Sequence, residues 1–438
     1  MKIYKRILAA ALSLTMILSI TACEEDDVGS DNSSDSSELE NKKLIWLAWY
    51  NEFDKDPAYE IFQERYGGEI EFVSTGNYEA RYDKLSNMIK NDQSPDLFPF
   101  EINNWPYGAK MFESIDDLFD FNDSKWDSTR DYIEQFKWKD RIYTPITELD
   151  TNFVLWYRKS VIEKAGIDDP KDLYDKGEWD WQAFFDLGRA FKKTGDNKYY
   201  IDGFHVDQGM IASTGVPLIG LENGNLVSNL DNPLIAEAVN NLSTLNSEEL
   251  RYPLQQNDWN VNYVSWVKGN TLFFFDGMWR YEEHWLKYKV DDAAFVPFPV
   301  YDKNADNFYT AMKHNAYMLP KGAKNTEGYK AWIDCVMTAT NDSEIKEANH
   351  EKMKTRGWTD ELINFYEELK SAKNIVSVFD FKNGIGADLG DTTKGEAPVE
   401  RLTKRVYVEN DMSYAQLKGE HQAQIENRIK ELNEQPVD

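Results

Sequence analysis

The sequence is poor in positive charge for its length. Its 438 residues include 49 Lys and Arg against 77 Asp and Glu, which gives a formal net charge of −28. A nucleic-acid-binding protein needs a basic patch that displaces counterions from phosphates, so this balance argues against such a partner. It argues equally against a polybasic attachment to anionic lipid. The acidity carries no information about the fold.

Cysteine and histidine are also scarce. Cys335 has only Cys23 as a possible partner. Because Cys23 is expected to carry another modification, the fold should contain no disulfide. Cys335 shares a helical face with Trp332 in "YKAWIDCVM", which predicts a core position. The five histidines form no i, i+4 pair and no HExxH motif, so the usual zinc spacing is absent.

Several motifs of cofactor and enzyme chemistry are missing or incomplete. There is no Walker A sequence and no GxSxG motif. The segment "GIGADLG" misses GxGxxG by one residue, and "DKNADN" lacks the glycine and the final acid of a calcium loop. With so many acidic residues, carboxylate pairs occur by chance and do not indicate a glycosidase. We therefore expect no cofactor, no metal site and no enzymatic activity.

The N-terminus predicts export and lipidation. Lys2, Lys5 and Arg6 precede an apolar stretch, Ile7–Ile20, which has the length of a secretory signal and is too short for an ordinary membrane span. The following "ITAC" resembles a bacterial lipobox. We therefore expect residues 1–22 to be a lipoprotein signal peptide and Cys23 to be lipidated. The alternative is an ordinary signal peptide with an incidental cysteine.

Residues 23–41 should form a tether. "EEDDVGSDNSSDSSELE" is acidic and Ser-rich and has too little apolar surface to fold. Loss of the three basic signal residues would change the net charge from −28 to −31. A lipid anchor and a flexible tether place a globular body at the extracellular face of a bacterial cell membrane.

Aromatic residues are abundant. The chain has 14 Trp and 24 Tyr, which is more than a core of this size usually needs. Tyr and Trp combine a flat apolar face with a polar group. An excess of both in an exported protein favours flat, hydroxylated ligands, above all sugars.

The body reads as an α/β protein. "KLIWLAWY", "EIEFVST" and "PDLFPF" are predicted strands, and "AYEIFQERYG" and "NYEARYDKLSNMIKN" are predicted helices between them. This order is typical of a parallel sheet with crossover helices. A polar stretch at residues 148–152 separates it from a second set of strands and helices. A last helix carries Tyr414, Leu417, Ile425, Ile429 and Leu432 close to one face.

The segment "TLFFFDGMWR" raises the question of binding most directly. Its apolar run, residues 272–275, has the length of a buried strand, and Asp276-Gly277 ends it. Tyr281, Trp285 and Tyr288 follow with helical spacing. Ligands in open α/β sheets bind beyond the carboxyl ends of strands, where Trp279 would lie.

Several pieces in order resemble the bacterial extracellular solute-binding proteins of family 1, the maltose-binding-protein-like sugar-binding lipoproteins of ABC importers. The similar pieces are "LIWLAWY", "YDKLSNMIKNDQSPDLFPF", "RIYTPITELDTNFVLWYRKSVIEKAGI", "EWDWQAFFDLGRAFK", "WVKGNTLFFFDGMWR" and "AFVPFPV". Each motif is loose, but their order and spacing cover roughly residues 43–435. The family's Tyr-Asn-Lys strand end is Tyr157-Arg158-Lys159 in this chain.

The resemblance implies a two-lobed periplasmic-binding-protein-like fold of type II. Each lobe would be a mainly parallel sheet flanked by helices, with hinge strands between the lobes. The implied lobe I is 42–148 plus about 299–340, and lobe II is about 149–298 plus 341–438. The implied function is to capture a carbohydrate, an oligosaccharide in particular, by hinge closure and to deliver it to an ABC permease, with the protein acting as a monomer. The open alternatives are a binding protein for a peptide or polyamine, a secreted glycosidase, and a sensor subunit that feeds a signalling kinase.

The candidate ligand-binding residues lie at predicted strand ends and at the crossing between lobes. Three of these places also have an explanation without a ligand. Trp49 would be a buried core residue, Glu148 would belong to a solvated hinge, and His205 would lie in an ordinary polar loop. The family uses the positions after "PDLFPF" for ligand, and Arg280 is expected to pair with acidic residues nearby. The candidates are Trp49, Tyr50, Asn51, Glu52, Glu101, Asn103, Trp105, Asp150, Asn152, His205, Asp207, Gln208, Asp276 and Trp279.

Overall fold

A computed structural model of the chain describes residues 38–436, apart from residues 52, 54–55, 79, 101–109, 151–152, 254–260, 312, 387 and 391–396. Of residues 150, 313 and 314 only the backbone is described. The predicted signal peptide and the lipidation site Cys23 lie outside these residues. Leu39 is buried in the core, so the folded body begins at residue 39, three residues before the predicted start at residue 42.

The strands and helices follow the predicted α/β order. The strands are β1 (Lys43–Ala48), β2 (Glu69–Ser74), β3 (Phe98–Pro99), β4 (Ile146–Asp150), β5 (Phe153–Arg158), β6 (Tyr199–Gly203), β7 (Ile219–Glu222), β8 (Asn225–Ser228), β9 (Thr271–Gly277), β10 (Ala293–Val296), β11 (Phe308–Thr310), β12 (Lys313–Met318) and β13 (Ile375–Ser377). The helices are α1 (Pro57–Tyr66), α2 (Arg81–Lys90), α3 (Arg130–Gln135), α4 (Lys159–Ala165), α5 (Pro170–Asp175), α6 (Trp181–Lys192), α7 (Val206–Ala212), α8 (Pro233–Ser247), α9 (Tyr263–Val267), α10 (Thr326–Asn341), α11 (Ser343–Thr355), α12 (Asp360–Ser371), α13 (Pro398–Lys404) and α14 (Tyr414–Glu434).

The N-terminal part forms the predicted strand–helix–strand unit. β1 pairs in parallel with β2, and Trp46 forms a further parallel bridge with Leu97. α1 begins where the Asp56 carboxylate accepts a hydrogen bond from the Ala58 N–H at 2.8 Å, with Pro57 in its first turn. It ends at Gly67, whose φ of 61° suits a residue without a Cβ. These local signals explain why the sequence pattern predicts this unit correctly.

Two short strands lie side by side where the chain leaves the N-terminal part and where it returns to it. β4 and β12 are antiparallel, and β12 also pairs with the short strand β3. Asn315 lies opposite Glu148 in this pair, beside a shift in register. The polar stretch from residue 148 therefore begins inside a paired strand rather than in an open loop.

The central sheet has the order β10-β5-β9-β6; three of its strands share the predicted common direction, and β5 is the exception. β6 and β9 are parallel, whereas β5 is antiparallel to both β9 and β10. Strands joined by a crossover share one direction. β5 instead follows β4 almost directly and enters the sheet from the other side, so it runs against its neighbours.

The strand predicted at the start of "TLFFFDGMWR" is confirmed, and the helix predicted after this segment is confirmed only in part. All seven residues of β9 are buried. The next turn, Tyr281–Trp285, is π-helical, with the Leu286 N–H donating to the Tyr281 carbonyl. Tyr281 and Trp285 are buried, but Tyr288 is 46% exposed because the wider turn moves it off their face.

The C-terminal part confirms two further predictions. The five residues predicted for one face of the last helix are the buried residues of α14. Cys335 is buried in α10, and burial raises the pKa of its thiol to about 12. Among the described residues, no helix is both long and apolar enough to cross a membrane.

Candidate ligand-binding site

Three aromatic side chains meet at the carboxyl end of β9. Trp279 follows this strand, and Phe153 begins the neighbouring strand β5 opposite Gly277. The rings of Phe153 and Trp279 are 5.4 Å apart at 85°, and those of Phe153 and His205 are 5.5 Å apart at 87°. Edge-to-face contacts of this kind order aromatic rings. Trp279 remains 41% exposed, so part of its ring is open to a ligand.

His205 has an unusual backbone. Its φ is 56°, in the left-handed region that residues with a Cβ rarely adopt, and it stands between β6 and α7. Its Nδ1 lies 2.9 Å from Nε2 of Gln208. Left-handed residues with a Cβ occur in turns and also cluster at functional sites. Two predicted residues are thus brought to the same sheet edge as Trp279.

Asp276 is placed beneath this cluster rather than at its surface. It is fully buried, its Oδ1 accepts a hydrogen bond from the Gly277 N–H at 2.7 Å, and its Oδ2 accepts one from Arg280 Nε at 2.6 Å. Burial raises the pKa of Asp276 to about 6, and Arg280 opposes that rise. The expected pairing of Arg280 with an acid is confirmed. Both oxygens of Asp276 serve the turn that carries Trp279.

Asp207 is also a buried residue. Thr403 Oγ1 donates to its Oδ2 at 2.7 Å. Burial alone would raise the pKa of this carboxyl, but Lys382, Lys404 and the Thr403 hydrogen bond outweigh it and hold the pKa below its usual value. The surroundings of Asp207 therefore connect α7 to the C-terminal part of the chain.

A second aromatic cluster follows β1 and β2. Trp49 contacts Tyr50 and Tyr78, with ring centroids 5.0 Å apart in both pairs. The Arg81 guanidinium lies 3.5 Å from the centre of the Tyr78 ring, and Arg81 itself is buried. The parallel pairing of β1 with β2 brings these residues to one edge. Tyr78 is 42% exposed, and the predicted residue Asn51 is exposed as well.

Polar side chains connect this cluster to the crossing strands. The Glu148 carboxylate accepts hydrogen bonds from Asn315 Nδ2 at 3.0 Å and from Lys370 Nζ. Burial alone would raise the pKa of Glu148, but Lys370 and Asn315 more than compensate and lower it. Desolvation raises the pKa of the Tyr317 hydroxyl, and the nearby Asp56, Tyr50 and Glu148 add to the rise. The Trp49 cluster therefore borders the crossing.

The structure brings the predicted residues into two groups. Trp49, Tyr50 and Asn51 lie in the group that follows β1 and β2, and His205, Gln208 and Trp279 lie in a second group at the end of β9. Asp207 and Asp276 lie behind the second group. The predicted residues Glu52, Glu101, Asn103, Trp105 and Asn152, and the side chain of Asp150, lie outside the described residues.

The sequence does not single out Phe153 or Arg81 as candidate site residues. Phe153 lies beside Trp279 only because β5 pairs with β9, which is more than a hundred residues away in the chain. The spacing of Tyr78 and Arg81 by three residues was the available signal for their contact. Within the described residues, no group of three or more His, Cys, Asp or Glu side chains could hold a metal ion.

Comparison with known proteins gives one family and one fold. A family model described as bacterial extracellular solute-binding protein matches residues 47–342. A search of curated protein sequences finds no match.

Solved structures resemble the chain over nearly its whole length. A solute-binding protein from Thermotoga lettingae TMO, bound with α-D-tagatose, is 15% identical; the match covers 89% of this chain and 100% of that one, with a TM-score of 0.62. An ABC-transporter-associated binding protein from B. animalis subsp. lactis Bl-04, in complex with β-1,6-galactobiose, is 15% identical with 90% and 98% coverage and a TM-score of 0.60. The GacH receptor of Streptomyces glaucescens GLA.O, studied with acarbose, is 13% identical with 89% and 98% coverage and a TM-score of 0.64.

At these identities the structural matches establish the fold, which is the predicted periplasmic-binding-protein-like one. The family rests on the sequence model, which spans most of the chain and includes both aromatic clusters. The chain belongs to the bacterial extracellular solute-binding protein family.

Proposed function

We propose that the protein captures a carbohydrate, an oligosaccharide in particular, and delivers it to an ABC permease. Exposed aromatic side chains at strand ends carry this proposal. Among the described residues, only Tyr78, Val264, Trp279 and Tyr288 are exposed large apolar side chains. Two of these four, Tyr78 and Trp279, lie just beyond the carboxyl ends of strands, where α/β sheets bind ligands. A flat, partly exposed ring with polar neighbours suits the apolar face of a sugar ring.

The related structures support the choice of sugar over peptide or polyamine. The three proteins described above are named with tagatose, galactobiose and acarbose as their ligands. The arrangement of this site offers stacking surfaces in two groups on different sheets. We therefore propose that a sugar is bound between them. We also propose that the protein acts as a monomer and has no catalytic activity.

The proposed mechanism is hinge closure between two lobes. β4 and β12 would be the hinge strands. The chain would then return to lobe I near residue 311 and not near residue 299, the boundary that the resemblance implies. Two contacts support this change: the Trp181 N–H donates to the Val300 carbonyl, and Phe308 packs against Tyr174. Lobe I would then be 39–148 plus about 311–340, and lobe II would be the remainder. Ligand contacts available only in the closed state would shift the population toward it.

Calorimetric titration tests the carbohydrate proposal. The panel is D-tagatose, β-1,6-galactobiose, acarbose, spermidine and tri-alanine. We expect stoichiometric binding of at least one carbohydrate, without product formation, and a higher melting temperature in its presence. Binding of only spermidine or tri-alanine, or hydrolysis of a sugar, would overturn the proposal.

Trp279→Ala tests the site itself. Loss of a stacking surface should raise the carbohydrate Kd by about tenfold or more. Tyr288→Ala is the matched control, because Tyr288 is similarly exposed but does not follow a strand end. We expect that variant to bind like the unmodified protein. Equal affinities for the Trp279 and Tyr288 variants would contradict the assignment of Trp279.

We also propose a lipid anchor on Cys23, at the extracellular face of the membrane. The lipobox-like "ITAC" supports it. Cells that express the chain should incorporate radiolabelled palmitate into it and retain it in the membrane fraction. Cys23→Ala should abolish both. Labelling of the variant to the same extent as the unmodified chain would contradict the anchor.

A further inference from the structure

Trp279 stands on a short turn that is held from below by a buried ion pair. The turn begins at Asp276, the next-to-last residue of β9, and ends at Arg280. One carboxylate oxygen of Asp276 accepts from the Gly277 N–H and the other accepts from Arg280 Nε. The two side chains are 1% and 9% exposed. The ion pair thus joins the residues on either side of Trp279.

Neighbouring elements fix this turn further. On strand β5, the Trp156 indole N–H donates to the Gly277 carbonyl at 3.3 Å. On the following turn, the Glu283 N–H donates to the Trp279 carbonyl at 3.1 Å. The backbone around Trp279 therefore has partners before and after the indole.

Side chains on several sides contact Arg280. Its Nη1 lies 2.8 Å from His284 Nδ1 and 3.6 Å from a Glu283 carboxylate oxygen. Its guanidinium also lies over the rings of Tyr263 and Phe204, at 4.9 and 5.8 Å. With only 7% of the residue exposed, Arg280 has its bonds directed into the protein. Its influence on a ligand would have to pass through the turn.

A buried ion pair is not an efficient source of stability. The desolvation of the two charges offsets much of their attraction, and apolar side chains of similar volume often stabilise a fold as well. Such pairs are retained in some systems because they specify one geometry. Here the geometry that the pair specifies is the direction of one exposed indole.

We propose that Asp276 and Arg280 are positioning residues that fix the orientation of the Trp279 indole for ligand stacking. The inference rests on the proposed function for its consequence, but the orientation itself exists without ligand. The pair does not contact the ligand. It restricts the rotation of the turn, so that the indole is ordered before a sugar arrives and less entropy is lost on binding.

Fluorine NMR of the ligand-free chain tests the orientation directly. The chain is labelled with 5-fluorotryptophan, and the Trp279 resonance is assigned by its absence in Trp279→Phe. We expect Arg280→Gln to shift or broaden this resonance. The control is Arg158→Gln, which breaks another Arg–Asp pair, with 2.8 Å between Arg158 Nε and Asp292 Oδ1, at the opposite end of β5. An unchanged Trp279 resonance in folded Arg280→Gln would overturn the proposal.

A second variant covers the case in which Arg280→Gln does not fold. Asp276→Asn keeps the volume and one acceptor oxygen but removes the charge that holds Arg280. It should disturb the Trp279 resonance in the same way, whereas Arg280→Lys, which keeps the charge, should restore part of the original spectrum. Identical spectra for Asp276→Asn and the unmodified chain would contradict the role of the pair.

A double-mutant cycle tests whether the effect on binding passes through Trp279. With β-1,6-galactobiose as the probe, we expect Arg280→Gln to weaken binding about tenfold in the unmodified chain and less than about twofold in a Trp279→Ala chain. Equal effects in both chains would mean that Arg280 does not act through the indole. Absence of any carbohydrate binding would contradict the proposed function, and the ligand-free NMR spectra would still decide on the positioning role.

Discussion

The indole of Trp279 occupies the space that a side chain on Gly277 would need. A Cβ built on Gly277 would lie 2.2 Å from both Cη2 and Cζ3 of the ring. Gly277 is absent from the residues with positive φ, so its backbone angle does not require glycine. The small size of Gly277 is what allows the ring to lie against the strand end.

Gly277→Ala should therefore displace the indole. Either the ring or the backbone must move, because carbon atoms do not approach to this distance. We expect carbohydrate affinity to fall about tenfold, close to the level of Trp279→Ala. Titration calorimetry and the fluorine resonance of Trp279 would both report the change.

Gly195→Ala is the control for this substitution. Its Cβ would meet nothing within 4 Å, and its backbone has no positive φ. The control should leave affinity and the Trp279 resonance unchanged. If Gly277→Ala behaves like the control, the Trp279 ring has another position of similar energy that binds ligand equally well.

The sequence predicts the elements of this site better than their arrangement. The apolar run of β9 and the buried face of α14 follow from hydrophobic periodicity, which depends on neighbours in the chain. The direction of β5, and hence the contact of Phe153 with Trp279, depends on pairing between distant segments. The sequence makes Asp276 a candidate ligand residue because it ends the apolar strand beside Trp279. In the fold the same carboxylate is buried by its pairing with Arg280.

Two glycines inside helices should respond to alanine in opposite ways. Gly419 lies in α14 and is exposed, and a Cβ there would meet nothing within 4 Å. Because glycine is a poor helix former, Gly419→Ala should raise the free energy of unfolding by about 0.5–1 kcal/mol.

Gly188, in α6, provides the contrasting case. A Cβ there would come within 2.6 Å of the buried Tyr200 ring. Overpacking should lower the free energy of unfolding by about 1–3 kcal/mol, despite the better helix propensity of alanine. Urea denaturation of both variants measures the two signs. Stabilisation by Gly188→Ala would mean that the Tyr200 ring moves easily.

The ion pair of Lys370 with Glu148 should stabilise the crossing strands in a pH-dependent way. Lys370→Met leaves the Glu148 carboxylate without its cation. The pair is partly exposed, so we expect a loss of about 1–3 kcal/mol near pH 7, below the range for fully buried pairs. Because the pKa of Glu148 is lowered in the folded protein, this stabilisation is present above its unfolded pKa and is lost as the pH falls through the folded value.

The difference in stability between Lys370→Met and the unmodified chain should therefore shrink at acidic pH. Urea denaturation at several values from pH 7 down to about pH 3, below the usual pKa of a glutamate, would follow it. In a chain that already carries Glu148→Gln, Lys370→Met should lower the free energy of unfolding much less, because no carboxylate is left without its cation. An equal loss in both chains would indicate that Lys370 acts through packing and not through its charge.

Asp202 should make the opposite contribution to the pH dependence. Its oxygens accept hydrogen bonds from the N–H groups of Gly203 and Asn262, both at 2.8 Å, at the end of β6. Burial nevertheless raises its pKa from 3.8 to about 6. The folded state then binds a proton more tightly than the unfolded state, so the contribution of Asp202 to stability is fully present below pH 4 and is lost as the pH rises to about 6.

Asp202→Asn removes this titration. Relative to the variant, the unmodified chain should lose roughly 1–3 kcal/mol of unfolding free energy between about pH 4 and pH 6, with no further change up to pH 8. Urea denaturation of both proteins at half-unit intervals would give the difference curve. Asp207→Asn is the contrasting variant: because the pKa of Asp207 is lowered, its difference curve should be flat from pH 4 to pH 8 and should slope the other way only below about pH 4. A flat difference curve for Asp202→Asn would mean that the folded protein holds the Asp202 carboxylate without a shift in its pKa.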